Sequence, residues 1–97
     1  MNTQIKLKNL EGTEVLIMKN LDSLTITTQD AKLVYMYITS MFAITKLVDF
    51  IGNTSIEIID DNKIKIHNSK ISSSELEKIV KLELISKYSF KVLDEND

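Results

Sequence analysis

The longest apolar run of the chain constrains the fold most. Fifteen of the twenty-one residues from 31 to 51 are apolar, whereas an ordinary surface helix carries an apolar stripe only a little wider than ~100°. Thr27 and Asp30 have the spacing of a capping box, and Gly52 can supply a left-handed cap at the other end. The sequence therefore predicts one long helix over about 28–51, with more apolar surface than a single buried face requires.

The same run is not predicted to cross a membrane. Its charge-free part, residues 33–45, has thirteen residues, whereas a spanning helix needs roughly 20. Lys32 and Lys46 bracket this part, and Asp49 interrupts the remainder. We therefore expect a buried helix and no membrane partner.

Two sides of the predicted long helix have different expected roles. At ~100° per residue, the core face comprises Leu33, Val34, Tyr37, Met41, Ile44, Val48 and Ile51. The outward strip comprises Tyr35, Met36, Phe42, Lys46 and Asp49. Aromatic residues and methionine are enriched in interface cores, so this strip is a candidate surface for an antiparallel homodimer or for a partner protein. Alternatively, the shorter helix described below covers the strip within the monomer.

Strands are predicted before the long helix. The first strand alternates aliphatic and lysine side chains, and a turn at Gly12 leads into a second strand. A loop of two or four residues there gives the cross-strand pairs Leu7–Leu16 and Ile5–Met18. The opposite face then carries Lys6, Lys8, Val15 and Ile17. Apolar residues on both faces of the second strand are typical of a central strand covered on both sides, and a third strand is expected over 24–27.

A second hairpin is predicted after the long helix. Isoleucine alternates with charged residues on both sides of the turn Asp60–Asn62, and Asn62 suits the left-handed position of such a loop. The loop gives the cross-strand pairs Ile56–Ile66, Glu57–Lys65 and Ile58–Ile64. Each of these pairs is chemically matched, and a shift of one residue would break all three.

The remainder of the chain predicts a shorter helix and a last strand. Three serines followed by two glutamates are typical of a helix start and predict a helix over about 73–86. Tyr88, Phe90 and Val92 alternate with polar residues as in a strand, and the acidic tail 94–97 is expected to fray. The order β-β-β-α-β-β-α-β predicts a two-layer α+β domain with a mostly antiparallel sheet of five or six strands.

Composition indicates one small domain over 1–97. A chain of 97 residues has room for a single core, and 43% hydrophobic with 27% charged residues is close to the globular average. The absence of cysteine excludes disulfides and thiolate-bound metals. The N-terminal residues alternate polar and apolar side chains and contain no continuous apolar segment, so no signal peptide is expected. These features favour a cytoplasmic protein.

The basic residues are all lysines, twelve in number, and the net charge is −2. Because arginine is the preferred residue for bidentate recognition of phosphate and guanine, nucleic acid is the less favoured partner. The alternative nucleic-acid surface would be a lysine face of the two hairpins with the neighbouring histidine, formed by Lys6, Lys8, Lys63, Lys65 and His67. Residues with AT-rich codons make up 43 of the 97, which favours a low-GC bacterium, its phage or a mobile element as the source.

The sequence contains none of the motifs typical of catalysis, metal binding or cofactor binding. His67 is the only histidine, and the acidic residues of the neighbouring turn are typical of an ordinary hairpin. We therefore expect a non-enzymatic interaction or regulatory protein that acts through protein–protein contacts as a homodimer, without a cofactor. A nucleic-acid-binding module is one alternative. A small ligand-binding domain or enzyme with a pocket between helix and sheet is the other.

Overall fold

A single antiparallel sheet organises the part of the chain that the structure describes. The computed structural model describes residues 4–44 and 53–96, without the side chains of residues 41–44 and 96. The elements are β1 (Gln4–Lys8), β2 (Glu14–Lys19), β3 (Leu24–Thr28), α1 (Ala31–Ile44), β4 (Thr54–Asp60), β5 (Lys63–Asn68), α2 (Ser73–Tyr88) and β6 (Lys91–Asn96). Neighbouring strands follow the order β4-β5-β3-β2-β1-β6. The predicted α+β class and order of elements are confirmed.

The two described helices pack on one face of this sheet. The strand residues facing them are buried, and they are Ile5, Leu7, Val15, Ile17, Leu24, Ile26, Ile64 and Ile66. These residues form one cluster with Ala31, Val34, Ile38, Leu76, Val80, Leu84 and Phe90. The alternate strand residues form the opposite side, which we call the open face: Lys6, Lys8, Leu16, Met18, Thr25, Thr27, Lys63, Lys65 and His67, all exposed or half-buried. No described element covers the open face, so β2 is central in the sheet but covered on one side only.

Helix α1 turns a different side toward the sheet from the one that the sequence predicts. Its fully buried residues are Ala31, Val34 and Ile38. Of the predicted core face, Val34 is buried and Tyr37 is half-buried and packs against the core. Leu33 is half-buried, and the prediction omits Ile38, so it misplaces the centre of the face. The remaining predicted core residues, Met41, Ile44, Val48 and Ile51, have side chains outside the described part of the chain.

The start of α1 also differs from the prediction. The helix begins at Ala31, and the threonine of the predicted capping box belongs to β3. Asp30 caps the helix itself, because its Oδ1 accepts the N–H of Leu33 at 3.2 Å. The N–H of Ala31 donates to the carbonyl of Asp61 at 3.0 Å, so the second hairpin satisfies another of the free helical N–H groups. The predicted end of the helix, over residues 45–52, lies outside the described residues.

The first hairpin is shifted by one residue from the predicted register. Leu7 lies opposite Val15 and Ile5 lies opposite Ile17. All four side chains face the helices and are buried. The predicted partners on β2, Leu16 and Met18, lie on the open face instead.

The loop of this hairpin explains the shift. The N–H of Asn9 donates to the carbonyl of Thr13 at 3.0 Å. This hydrogen bond closes a loop of three residues, 10–12, whereas the sequence predicts a loop of two or four. Gly12 lies in the left-handed region with φ of 86°, as the last residue of a three-residue hairpin loop commonly does. The Asn9 side chain fixes the loop, since its Oδ1 accepts the N–H of Glu11 at 3.1 Å and that of Thr13 at 2.9 Å.

The predicted register of the second hairpin is confirmed. Its pairs are Ile56–Ile66, Glu57–Lys65 and Ile58–Ile64. Ile59 is an extra residue that forms a β-bulge before the turn. Asn62 is not left-handed, since Ser89 is the one non-glycine residue of positive φ in the described ranges. Instead the Asn62 side chain donates to the carbonyl of Thr28 at 3.0 Å, which anchors the hairpin turn beside the start of α1.

The second helix and the last strand both end later in the chain than the sequence predicts. The Ser72 side chain caps α2 by accepting the N–H of Glu75, as expected of a serine helix start. The helix continues to Tyr88, so this residue belongs to α2 and not to the last strand. Residues 94–96, expected to fray, form the second half of β6 and pair with β1.

Ser89 ends α2 in a conformation that favours glycine. Its φ of 59° and ψ of 32° are left-handed, and its N–H donates to the carbonyl of Leu84. We expect Ser89→Gly to raise the free energy of unfolding by about 0.5–1 kcal/mol, because glycine lacks the Cβ that is strained there. Ser86→Gly, inside the same helix, should instead lower it by about 1 kcal/mol. Chemical denaturation of both variants tests this, and a loss in both would contradict the expectation for Ser89.

Candidate interaction surfaces

The predicted interface strip on α1 is only partly within the described structure. Tyr35 is half-buried and packs against the hydrophobic core, whereas the Met36 side chain is 61% exposed. The side chain of Phe42 and the whole of Lys46 and Asp49 lie outside the described residues. Of the two described members, Met36 has the exposure that a contact surface requires, while Tyr35 contributes to the monomer core.

An aromatic cluster joins α1 to the end of α2. The rings of Tyr37 and Tyr88 stack with centroids 4.4 Å apart, and Phe90 meets Tyr37 edge-on at 6.2 Å. Phe90 is 2% exposed, so this ring is a core side chain and is not available for stacking on nucleic-acid bases. The phenol of Tyr37 points toward Glu11, with its oxygen 3.4 Å from Oε2.

Tyr37 should make the protein sensitive to alkaline pH. Burial raises the pKa of its phenol above the ordinary value near 10, and the Glu11 carboxylate acts in the same direction. Since the folded state favours the protonated phenol, this contribution to stability is complete below about pH 10 and is lost as pH rises through the folded pKa. Between about pH 9 and about pH 11, wild type should lose more stability than Tyr37→Phe. Equal losses in denaturant titrations at the two pH values would contradict this.

The lysines of the nucleic-acid alternative share the open face but form two groups. Lys6 and Lys8 belong to β1, and Lys63 and Lys65 belong to β5. Because β2 and β3 lie between these strands, the groups are about 14 Å apart. The residues between them are Leu16, Met18, Thr25 and Thr27.

Acidic residues are interspersed among these lysines. Lys6 Nζ lies 3.8 Å from Glu14 Oε1, and Lys65 lies opposite Glu57 across the second hairpin. Lys6 also faces Asp94 in the pairing of β1 with β6. The open face is therefore mixed in charge, unlike the continuous basic stripe typical of nucleic-acid-binding domains.

His67 lies at the end of the open face opposite Ser55 of β4. It lines a shallow polar depression of about 290 Å³ with Asp22, Ser55, Glu57 and Lys65. A second depression of about 210 Å³ lies between β1, β2 and β3 on the same face, beside Glu14. Neither corresponds to the helix–sheet pocket of the ligand-binding alternative. Among the described residues no group of three or more His, Cys, Asp or Glu side chains is arranged to hold a metal ion.

The outer edge of β4 is the surface that sequence reasoning missed. This strand lies at one end of the sheet, and no strand within residues 4–44 and 53–96 pairs with its outer side. Ile58 and Ile59 are 41% and 55% exposed, although isoleucine is among the most frequently buried residue types. Unpaired backbone groups beside exposed aliphatic side chains form a template for pairing with another strand. The consecutive isoleucines, which interrupt the alternation of the hairpin, are the signal that could have identified it.

The other end of the sheet, β6, is more strongly charged. Val92 and Leu93 are 40% and 54% exposed, close to the values on β4. However, β6 carries three charged residues, Lys91, Asp94 and Glu95, whereas β4 carries two. Glu95 also forms an ion pair with Lys81 of α2 at 2.9 Å. Charged side chains on an edge strand discourage pairing with a further strand. The β4 edge is therefore the better candidate contact surface.

Comparison of the chain with protein-family models, with curated proteins and with solved structures finds no match. Within the described ranges, neither helix combines the length and the apolar composition required to traverse a lipid bilayer. The choice among surfaces therefore depends on the geometry and chemistry of the residues above.

Proposed function

We propose that this chain is a cytoplasmic, non-enzymatic interaction or regulatory protein that acts through protein–protein contacts as a homodimer. The observation that carries the proposal is the β4 edge. This seven-residue strand has an outer side with which no strand of the described residues pairs, and the side chains of Ile58 and Ile59 are exposed on it. Strand addition at such an edge supplies affinity through main-chain hydrogen bonds, and the alternate side chains supply specificity.

The location of this surface differs from the expected helix strip. Tyr35 packs against the core of the monomer, which removes an aromatic side chain from the proposed helical interface. Met36 remains exposed, but single exposed apolar residues are normal on protein surfaces. The β4 edge offers two adjacent isoleucines together with backbone groups, so it supports the proposal better.

Measurement of the molar mass in solution tests the proposed homodimer. Size-exclusion chromatography with light scattering, from low to high micromolar concentration, should give twice the mass of the chain at the upper end. A monomer across the whole range would contradict the homodimer. Because the equilibrium depends on concentration, the measurement must include the most concentrated sample that stays monodisperse.

Nucleic-acid binding is the second candidate function, supported by the placement of Lys63, Lys65 and His67 on one face. If the protein binds a single-stranded oligonucleotide, its affinity should fall steeply with salt, since each neutralised phosphate releases counterion. Replacing both lysines by glutamine should then reduce the slope of log affinity against log salt by about 1–2. The control pair Lys78 and Lys87 is exposed on α2 and should leave the slope unchanged when replaced by glutamine.

A further inference from the structure

We propose that β4 pairs antiparallel with β4 of a second copy about a two-fold axis at Ile56, which joins two sheets into one. This inference rests on the proposed homodimer and specifies its surface and register. It follows from the direction of the backbone groups, from the order of side chains along β4 and from the charge at Glu57.

The hydrogen bonds around β5 determine which backbone groups of β4 face outward. The N–H of Ser69 donates to the carbonyl of Asn53 at 3.0 Å, and Thr54 lies opposite Asn68. In an antiparallel pair, hydrogen-bonded and non-hydrogen-bonded positions alternate. The backbone groups of Ser55 and Glu57 therefore point toward β5.

The same alternation directs the N–H and C=O groups of Ile56 and Ile58 toward the outer edge. A second observation agrees with this assignment. The N–H of Thr28 donates to the carbonyl of Asn62 at 2.9 Å. The backbone groups of even-numbered β5 residues therefore form hydrogen bonds with β3, and those of odd-numbered β5 residues form hydrogen bonds with β4. An added strand would therefore meet the backbone groups of Ile56 and Ile58, which the alternation directs outward.

Three symmetric registers use these outward groups without crossing the bulge at Ile59, and they place the axis at Ser55, Ile56 or Glu57. An axis at Ser55 leaves Ile58 with no β4 residue opposite it, because β4 begins at Thr54. An axis at Glu57 would place the Glu57 carboxylates of the two copies directly opposite each other, and like charges opposed across strands are destabilising. An axis at Ile56 instead places Glu57 opposite Ser55 of the second copy, where a hydroxyl can donate to the carboxylate. Charge complementarity therefore favours the axis at Ile56.

The same register also suits the side facing the helices. Ile56 lies opposite Ile56 of the second copy, and Ile58 lies opposite Thr54 of the second copy. The 41% of the Ile58 side chain that is exposed in the monomer then acquires a neighbour. On the open face, Glu57 lies between Lys65 of its own chain and Ser55 of the second copy. Each pair occurs twice because the axis is two-fold, so the strand is complementary to itself.

Single cysteines test the register, since the protein contains no cysteine of its own. Ile56→Cys should form a disulfide-linked dimer under mild oxidation, because directly opposed residues of a hydrogen-bonded pair have Cα atoms about 5.5 Å apart. Glu57→Cys should link poorly, because its copies would be diagonal neighbours roughly 7–8 Å apart. The reverse result, with Glu57→Cys linked and Ile56→Cys not, would overturn the proposed register.

A matched pair of edge variants tests the surface. Ile58→Lys places a charge on the β4 edge and should weaken the dimer by at least about tenfold. Val92→Lys, at the equally exposed position of β6 (40% against 41%), should leave dimerisation unchanged. If Ile58→Lys dimerises as tightly as wild type, the proposed β4 surface is wrong, while the proposal of a homodimer is retained. A wild-type protein that is monomeric, with no cross-link from either cysteine variant, overturns both.

Discussion

Ile38→Asp is expected to unfold the protein or to lower its free energy of unfolding by on the order of 3–5 kcal/mol. Ile38 is fully buried in the cluster between α1 and the sheet. A carboxylate at this position loses its hydration, and the described neighbours in the cluster are apolar side chains that cannot pair with it. Small domains have a total stability of about 5–15 kcal/mol, so this substitution removes a large part of it.

Met36→Asp is the matched control, two residues away on the same helix. Its side chain is 61% exposed, so the substitution changes helix propensity and charge without burying a carboxylate. We expect a melting temperature within a few degrees of wild type for Met36→Asp and loss of the cooperative transition, or a large decrease, for Ile38→Asp. Similar behaviour of the two variants in thermal denaturation would show that α1 is rotated differently on the sheet.

The sequence predicts the second hairpin correctly because three independent signals agree. The acidic turn, the alternation of isoleucine and the opposite charges of Glu57 and Lys65 all require the same register. A shift of one residue would reverse the faces of both strands, and only one face of this hairpin is apolar. The order of elements follows from similar local patterns and is confirmed in the same way.

The first hairpin lacks that redundancy. β2 carries aliphatic residues on both faces, so a shift of one residue still places apolar side chains toward the helices. The register is then decided by the loop, where the Asn9 side chain accepts two backbone N–H groups. An asparagine in this role has no distinctive sequence pattern, which is why the loop length could not be predicted.

The orientation of α1 and the β4 edge were not predictable for related reasons. A helix that is apolar around most of its circumference has a weak directional pattern, so periodicity alone does not identify its buried side. Whether a strand is central or at an edge depends on pairing between distant segments. Here β3 pairs with β5, which places β4 at the end of the sheet, and no local feature of either strand specifies this.

Asn68 is the second position where a single substitution should have a large effect. It is 4% exposed, and its Oδ1 accepts the N–H of Lys70 at 2.7 Å and that of Ile71 at 2.9 Å. Its Nδ2 donates to Thr54 Oγ1 at 2.8 Å. One side chain therefore shapes the connection from β5 to α2 and joins it to the start of β4.

We expect Asn68→Ala to lower the free energy of unfolding by about 1–3 kcal/mol, because two partly buried backbone donors lose their acceptor and a buried donor without an acceptor costs about 1–3 kcal/mol. Asn68→Asp is the matched variant. Its carboxylate can still accept both N–H groups, and the Thr54 hydroxyl can rotate to act as donor. The loss for Asn68→Asp, measured by urea denaturation at neutral pH, should be less than half of the loss for alanine. Equal losses would mean that the stability at this position comes from the Nδ2 donor, which both substitutions remove, and not from the acceptor oxygen, which aspartate retains.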